Sequence, residues 1–382
     1  MYLVMVVRRR SSKRRTPVKS HPHQYAALRA FLSFSFWALL ASVAQSQVWT
    51  VTNLHPAGAD SSQAYGVHGG QQVGIAFVGG VRHAAQWGGT AASWVDLHPA
   101  GSTDSFARGV HNGHQVGFVY VGGLPHSSIW NGTASSWVDL HPAGASQSAT
   151  AAVYNGQQVG NAVFSGAFQA SIWNGTAASW VSIHPSGATF SAALGVHNGQ
   201  QVGNARINSE FHASLWSGTA ASFIDLHPTG SSLSQGLAVY NGQQVGSATI
   251  GGITRASLWT GSAASWLDLT PAGATSSGAN GVFDGIQVGY STVGGVRRAS
   301  LWRGSAGSWE DLSLSLSGSW GDTTAFNIWD DGTTRYITGW GFNVANGRDE
   351  ALLWTQPVSV PEPGTVCVLV WLAVASLWSR RR

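Results

Sequence analysis

Residues 140–182 read LHPAGASQSATAAVYNGQQVGNAVFSGAFQASIWNGTAASWVS, and this stretch decides the fold. It holds four short strand candidates separated by turn chemistry. The first runs from Thr150 to Tyr154. Asn155-Gly156 then supplies a hairpin turn, because both central positions of a type I′ turn need positive φ. Gln157 to Phe164 forms the second strand, and Ser165-Gly166-Ala167 turns the chain into the third, Gln169 to Trp173. Asn174-Gly175 opens the next loop, and Trp180 to Ile183 makes the fourth. His184-Pro185 ends it, since proline cannot donate to a strand ladder and restricts the residue before it.

Working outward, the unit recurs with a period of 43 residues. Trp94, Trp137, Trp180, Phe223, Trp266 and Trp309 keep this spacing, as do Trp87, Trp130, Trp173, Trp216, Trp259 and Trp302. Starts of the Leu-His-Pro type fall at Leu54, Leu97, Leu140, Ile183, Leu226, Leu269 and Leu312. Four strands in about 43 residues match one blade of a β-propeller. The chain is therefore expected to be all-β, a seven-bladed propeller over residues 45–355; an open β-solenoid is the alternative, since it too stacks repeats. The phase favours closure. The repeat region begins with a lone fourth strand, Val48 to Leu54, and a degenerate last unit ends after a third strand at Trp354. Joining the two would complete a blade and remove the open edges. Gly66, Gly109, Ala152, Gly195, Ala238 and Gly281 share one position of the first strand, where crowding near an axis admits only tiny side chains.

The pattern D-L…S-x-A-x-G-V-x-N-G-Q-Q-V-G…H-A-x-x-W resembles the extracellular HAF-family repeat over about residues 48–354. Two departures stand out. The tripeptide naming that family appears as His83-Ala84-Ala85, His126-Ser127-Ser128 and His212-Ala213-Ser214, and His-Pro-Ala-Gly replaces the glycine-rich segment after Asp-Leu. The resemblance implies an extracellular location and no particular chemistry.

The two ends read as export signals. Residues 1–44 combine a long basic region, an apolar stretch from Phe31 to Val43, and small residues Ser42 and Ala44 where signal peptidase prefers them. Residues 356–365 are a linker carrying Val360-Pro361-Glu362-Pro363; residues 366–382 add an apolar segment, expected as a short transmembrane sorting helix, and the basic cluster Arg380-Arg381-Arg382. These last residues resemble the PEP-CTERM sorting signal of exopolysaccharide-producing bacteria, also catalogued as an ice-binding-protein C-terminal domain. The resemblance implies exosortase and signal peptidase as processing partners, and delivery to the cell surface or matrix. The membrane is expected to engage only the terminal segments, with transient or permanent anchoring in the inner membrane.

Composition agrees with a surface destination. The chain carries 20 basic and 16 acidic residues, a net charge of +4. Eleven of the basic residues lie in the terminal signals, so the body keeps nine against 15 acids and has no lysine. Without a basic face, nucleic acid is excluded as a partner. The single cysteine, Cys367, lies in the tail, so the body has no disulfide or thiolate metal site.

The candidate ligand-facing residues follow from position. His68, His111, Tyr154, His197, Tyr240 and Phe283 end the innermost strand of their blades and are expected to rim the central channel. Trp320, Trp329 and Trp340 fall outside the repeat register and are expected to form a distinct surface suited to stacking on sugar rings. His55, His98, His141, His184 and His227 recur before proline and are expected to close turns. Asp96, Asp139, Asp225, Asp268 and Asp311, replaced by Ser182 and Asn53 elsewhere, are expected as strand-end hydrogen-bond acceptors. Asp330-Asp331 and Asp349-Glu350 occur only in the last unit, and we read them as solvated loop acids, with weak Ca²⁺ binding as the alternative. No catalytic residue, metal site or cofactor is expected, because catalysis needs one constellation that breaks the repeat symmetry. The expected function is a non-catalytic surface or matrix protein with extracellular polysaccharide as its candidate ligand. A glycan-active enzyme with its site at the channel mouth and a purely structural surface protein are the alternatives.

Overall fold

The computed structural model describes residues 48–358. They form seven four-stranded antiparallel sheets, six of them built outward from an inner strand by successive connections along the chain. Six blades are contiguous, at residues 61–96, 105–139, 147–182, 190–225, 231–268 and 274–311. The seventh joins residues 320–357 to the N-terminal strand Thr50–Asn53, which pairs with Arg348–Pro357. Each inner strand touches the next around the ring, and the seventh touches the first. A solenoid has free ends. That alternative therefore falls, and the repeat closes as a seven-bladed propeller.

Local chemistry explains the blade. In the third blade the strands are Gln147–Tyr154, Gln157–Phe164, Ala167–Trp173 and Val181–Ser182. Asn155 and Gly156 adopt φ of 45° and 83°, the geometry their hairpin turn requires. Gly160 is obligatory, because a Cβ there would stand 1.9 Å from the Ala149 carbonyl oxygen on the inner strand. Gln158 clamps two turns together: its Oε1 accepts from Gly175 N at 2.7 Å and its Nε2 donates to Gly156 O at 2.8 Å. The recurrent Asn-Gly-Gln-Gln-Val-Gly is thus a turn, a clamp and a close strand approach. The fourth strand is shorter than expected, because Ala177–Ser179 form a 3-10 turn capped reciprocally by Thr176 and Ser179.

The core lies between blades. Leu97 and Trp130 pack with Val73 and Ala84 of the preceding blade, and Ile183 and Trp216 pack with Val159 and Ile172 in the same way. The tryptophan ending the third strand of each of the six contiguous blades, from Trp87 to Trp302, and Trp354 on the third strand of the last are closed to solvent. A polar staple crosses each junction. The Ser127 N–H donates to Ser148 Oγ at 2.9 Å, Ala170 N–H to Ser191 Oγ at 2.8 Å, and, across the closure, Ala351 N–H to Ser62 Oγ at 2.9 Å. Each satisfies a buried N–H that no strand ladder reaches.

Among the described residues no helix is long and apolar enough to cross a membrane. The expected signal segment, the Val360-Pro361-Glu362-Pro363 motif, the apolar segment from residue 366 and Arg380-Arg381-Arg382 lie outside the described residues.

Candidate functional site

The inner strands carry two layers of side chains into the axis. One layer comes from a bulge. Every inner strand shifts register at one shared position, as between Ala64 and Gly66, Ala107 and Gly109, or Ala279 and Gly281, and three of them shift once more near their start. The shift accompanies a tight approach between blades: a Cβ on Gly195 would lie 2.9 Å from Ala238 Cα. The small residues of this position in the six contiguous blades fit that crowding, as expected, while the closing blade carries Asn327 there. The extra residue at each bulge lines the channel. Asn280, Phe326, Tyr65 and Arg108 occupy one arc, while Ala151, Leu194 and Leu237 occupy the other. These bulge residues were not singled out from the sequence. Their signal was available, since no other channel position varies from Ala to Arg among repeats.

The second layer lies three residues along each strand, about 10 Å further at normal strand rise. Here His68, His111, Tyr154, His197, Tyr240 and Phe283 meet as tilted rings around the mouth, with interplanar angles of 39–52° and successive ring centroids 4.1–4.6 Å apart. Trp329 takes the seventh place, 5.0 Å from His68. The expected rim is real, and an insertion in the last blade had hidden its last member. Trp320 and Trp340 do not join it, which corrects the expectation of one tryptophan surface. Trp320 lies nine residues before Trp329 on the same strand, about 30 Å away. There it packs against the core cluster of the sixth and seventh blades, and its Nε1 donates to Ser317 O at 2.9 Å. Trp340 is half-buried on the second strand, and neither lines the channel.

The mouth is kept neutral. Burial lowers the pKa of His68 and His197, and burial with the neighbouring imidazoles His68, His197 and His114 brings His111 to about 4. Backbone N–H groups of Asn112, Asn155 and Asn241 donate to Nδ1 of His68, His111 and His197 at 3.3 Å. Each ring therefore holds its proton on Nε2, leaving an N–H donor that no described residue accepts. The channel behind the mouth encloses about 640 Å³. No carboxylate lines it among the described residues.

The remaining candidates serve the scaffold. His98 Nδ1 bonds Ser105 Oγ at 2.8 Å and its Nε2 bonds Ser102 O at 3.1 Å, so it closes its turn as expected. Asp139 Oδ1 accepts from His141 N at 2.8 Å while its Oδ2 holds His126 Nδ1 at 2.8 Å. The acids of the last unit are not simply solvated. Asp330 pairs with Arg335 at 3.3 Å, Asp331 accepts from Thr333 and Thr334 backbone N–H groups, and Asp349 accepts from Gln63 Nε2 at 3.0 Å. Burial alone would raise the Glu350 carboxyl, but hydrogen bonds from Arg348, Asn343, Asn346 and Asn53 outweigh it and hold the group at about 2. Glu210, His212 and His227 bring possible metal-ligand atoms within 4.8 Å of one another. They fit a metal poorly, because His212 Nδ1 is taken by Asp225 and both His227 nitrogens by Ser234 Oγ and Ser231 O.

No protein-family model and no curated protein matches the chain. Its likeness is to solved propellers. A puromycin hydrolase matches with a TM-score of 0.55 at 12% identity in a mutant complex, covering 76% of this chain. The same enzyme's other structure gives 0.54 at 12% identity over 83% of this chain. The chain spans only 53% and 57% of those two chains' lengths. The β-propeller domain of the Trilobed protease from Pyrococcus furiosus matches with a TM-score of 0.50 at 8% identity, covering 80% of this chain and 97% of that domain. That domain is described as having an open velcro topology, whereas here the Thr50–Asn53 strand closes the ring. Such identities establish the fold. They also correct one expectation: enzymes carry this architecture, so the repeat symmetry that argued against an enzyme does not exclude one.

Proposed function

We propose that the chain is an exported surface or matrix propeller that binds extracellular polysaccharide at the aromatic mouth of its channel. The observation carrying this reading is the ring of seven aromatic side chains around one cavity, with three imidazoles held neutral. Flat, uncharged rings interleaved with N–H and O–H donors suit the apolar faces and hydroxyl edges of sugars. The terminal segments support export, with signal peptidase and exosortase as processing partners and the tail determining surface delivery. The test is a titration of the purified protein with the producer's own exopolysaccharide, followed by tryptophan fluorescence and binding heat. Saturable binding that survives high salt and weakens about tenfold or more in Trp329→Ala is expected. Absence of saturable binding would sink the proposal.

A further inference from the structure

Arginines among the described residues are generally partnered. Six of the nine in the repeat region form ion pairs, from Arg82 with Asp104 to Arg348 with Glu350. Arg206 donates to the Ser209 carbonyl, and Arg297 lies over the Tyr290 ring. Arg108 has no hydrogen bond or ion pair with any described residue; its electrostatic neighbour is the phenol of Tyr65. It is nonetheless the one formally charged side chain lining the channel among the described residues.

Its placement is specific. The second-blade bulge sends Arg108 inward at the level of Tyr65, which stacks on Phe326 at 4.5 Å and meets Phe106 at a tilt, 4.8 Å away. Around the axis from it the third, fourth and fifth blades present Ala151, Leu194 and Leu237, none of which can accept a hydrogen bond through its side chain, and no bond joins Arg108 to Asn280 of the sixth blade, whose Nδ2 donates to Ala325 O at 2.9 Å. Arg108 also lines a side chamber of about 310 Å³, shared with Ala149, Asn161, Ala192 and Asn204. Arg108 thus stands where two cavities meet and is exposed to them. The protein mass around the channel lowers its pKa from the ordinary arginine value, although the side chain is exposed to the channel. An unpaired charge kept there stabilises nothing in the fold. A planar guanidinium with five donors matches a carboxylate bidentately.

We propose that Arg108 anchors one carboxylate of the bound saccharide, so that the ligand of the channel is an acidic, uronate-bearing chain. The proposal rests on the mouth being the saccharide site. The mouth would hold sugar rings by stacking, and the layer about 10 Å deeper would read the charge. That distance exceeds one sugar ring, so the ligand is an oligosaccharide end or a longer chain.

The experiment compares a glucuronic-acid oligosaccharide with its methyl ester, of the same length but uncharged, on the unmodified protein and on Arg108→Ala and Trp329→Ala. The acid is expected to bind at least about tenfold tighter than the ester, and Arg108→Ala is expected to erase that preference. Arg108→Ala should leave the melting temperature unchanged or raise it, since no described residue loses a partner. Equal binding of acid and ester by the unmodified protein overturns the carboxylate anchor while leaving the mouth reading intact. An acid preference that needs Arg108 but ignores Trp329→Ala supports the anchor and overturns the aromatic mouth. Binding of neither sugar overturns both.

Discussion

The six contiguous blades and the closing blade solve one problem with different residues. In the second blade a third-strand His126 holds the fourth-strand Asp139 at 2.8 Å, thirteen positions away. In the third blade Ser182 donates to Gln169 Oε1, and in the fifth and sixth Arg255 and Arg298 grip Asp268 and Asp311. In the closing blade the acid moves to the other strand: Asn53 Nδ2 donates to Glu350 Oε2 at 2.6 Å across 297 positions. The architecture therefore demands a hydrogen-bonded pair at this strand edge, and no particular residue type. What differs is the chain entropy behind it. A pair inside one hairpin is nearly preformed, whereas the closing pair must bring the two ends of the repeat region together.

The largest effect should come from breaking that closure. Glu350→Ala strands Asn53, Asn343, Asn346 and Arg348 in a site that is 1% exposed, and is expected to cost about 3 kcal/mol in a denaturant titration. His126→Ala in a contiguous blade should cost about 1 kcal/mol. Equal costs would mean that closure is no weaker than any hairpin. The staples come next. Ser62→Ala and Ser148→Ala orphan the buried N–H groups of Ala351 and Ser127, and each should lose about 1–2 kcal/mol. A clearly larger loss for Ser62 would show that the closing junction relies on its staple more than an internal one does.

Acid should separate the two regions by pH. The folded pKa values of His111 and Glu350 both lie below their unfolded values, so in each window the unfolded chain binds more protons and stability falls with pH. The His111 contribution is complete above about pH 6.5 and is lost as pH falls through about 4. The Glu350 contribution is complete above the ordinary carboxylate range and is lost toward about pH 2. Melting temperature in His111→Phe should flatten over the upper window only. A flattening of the lower window would place the acid-sensitive group at the mouth instead of the closure. The smallest effect belongs to a transplant. Gln169→His with Ser182→Asp installs the second-blade pair in the third blade and should stay within about 0.5 kcal/mol of the parent. Gln169→His alone should be the less stable single variant.

Much of this ring could be read from residue order. Asn155-Gly156 and the small residues at Gly66 and Ala152 announced a hairpin and a crowded inner strand, because both depend on backbone sterics that act locally. The leftover strand at each end announced closure. The first strand starts at Gln147, earlier than expected, since Gln147-Ser148-Ala149 shows no apolar alternation. Its Ser148 is buried by a staple from the neighbouring blade, which no pattern within one unit reveals. Arg108 escaped notice for a related reason: a bulge turns it inward, and a bulge shows only when two strands are laid side by side.

By itself the sequence determined the period, the four strands of each unit, the count of seven blades and the phase of their closure. Turn geometry, glycine placement and strand alternation act over a few residues, so they are written in order along the chain. Only the tertiary structure decided that Trp329 completes the mouth, that Trp320 and Trp340 do not, that three histidines there are neutral, and that Arg108 stands unpaired on the axis. Each of those properties is set by groups on other blades, brought within reach when the ring closes.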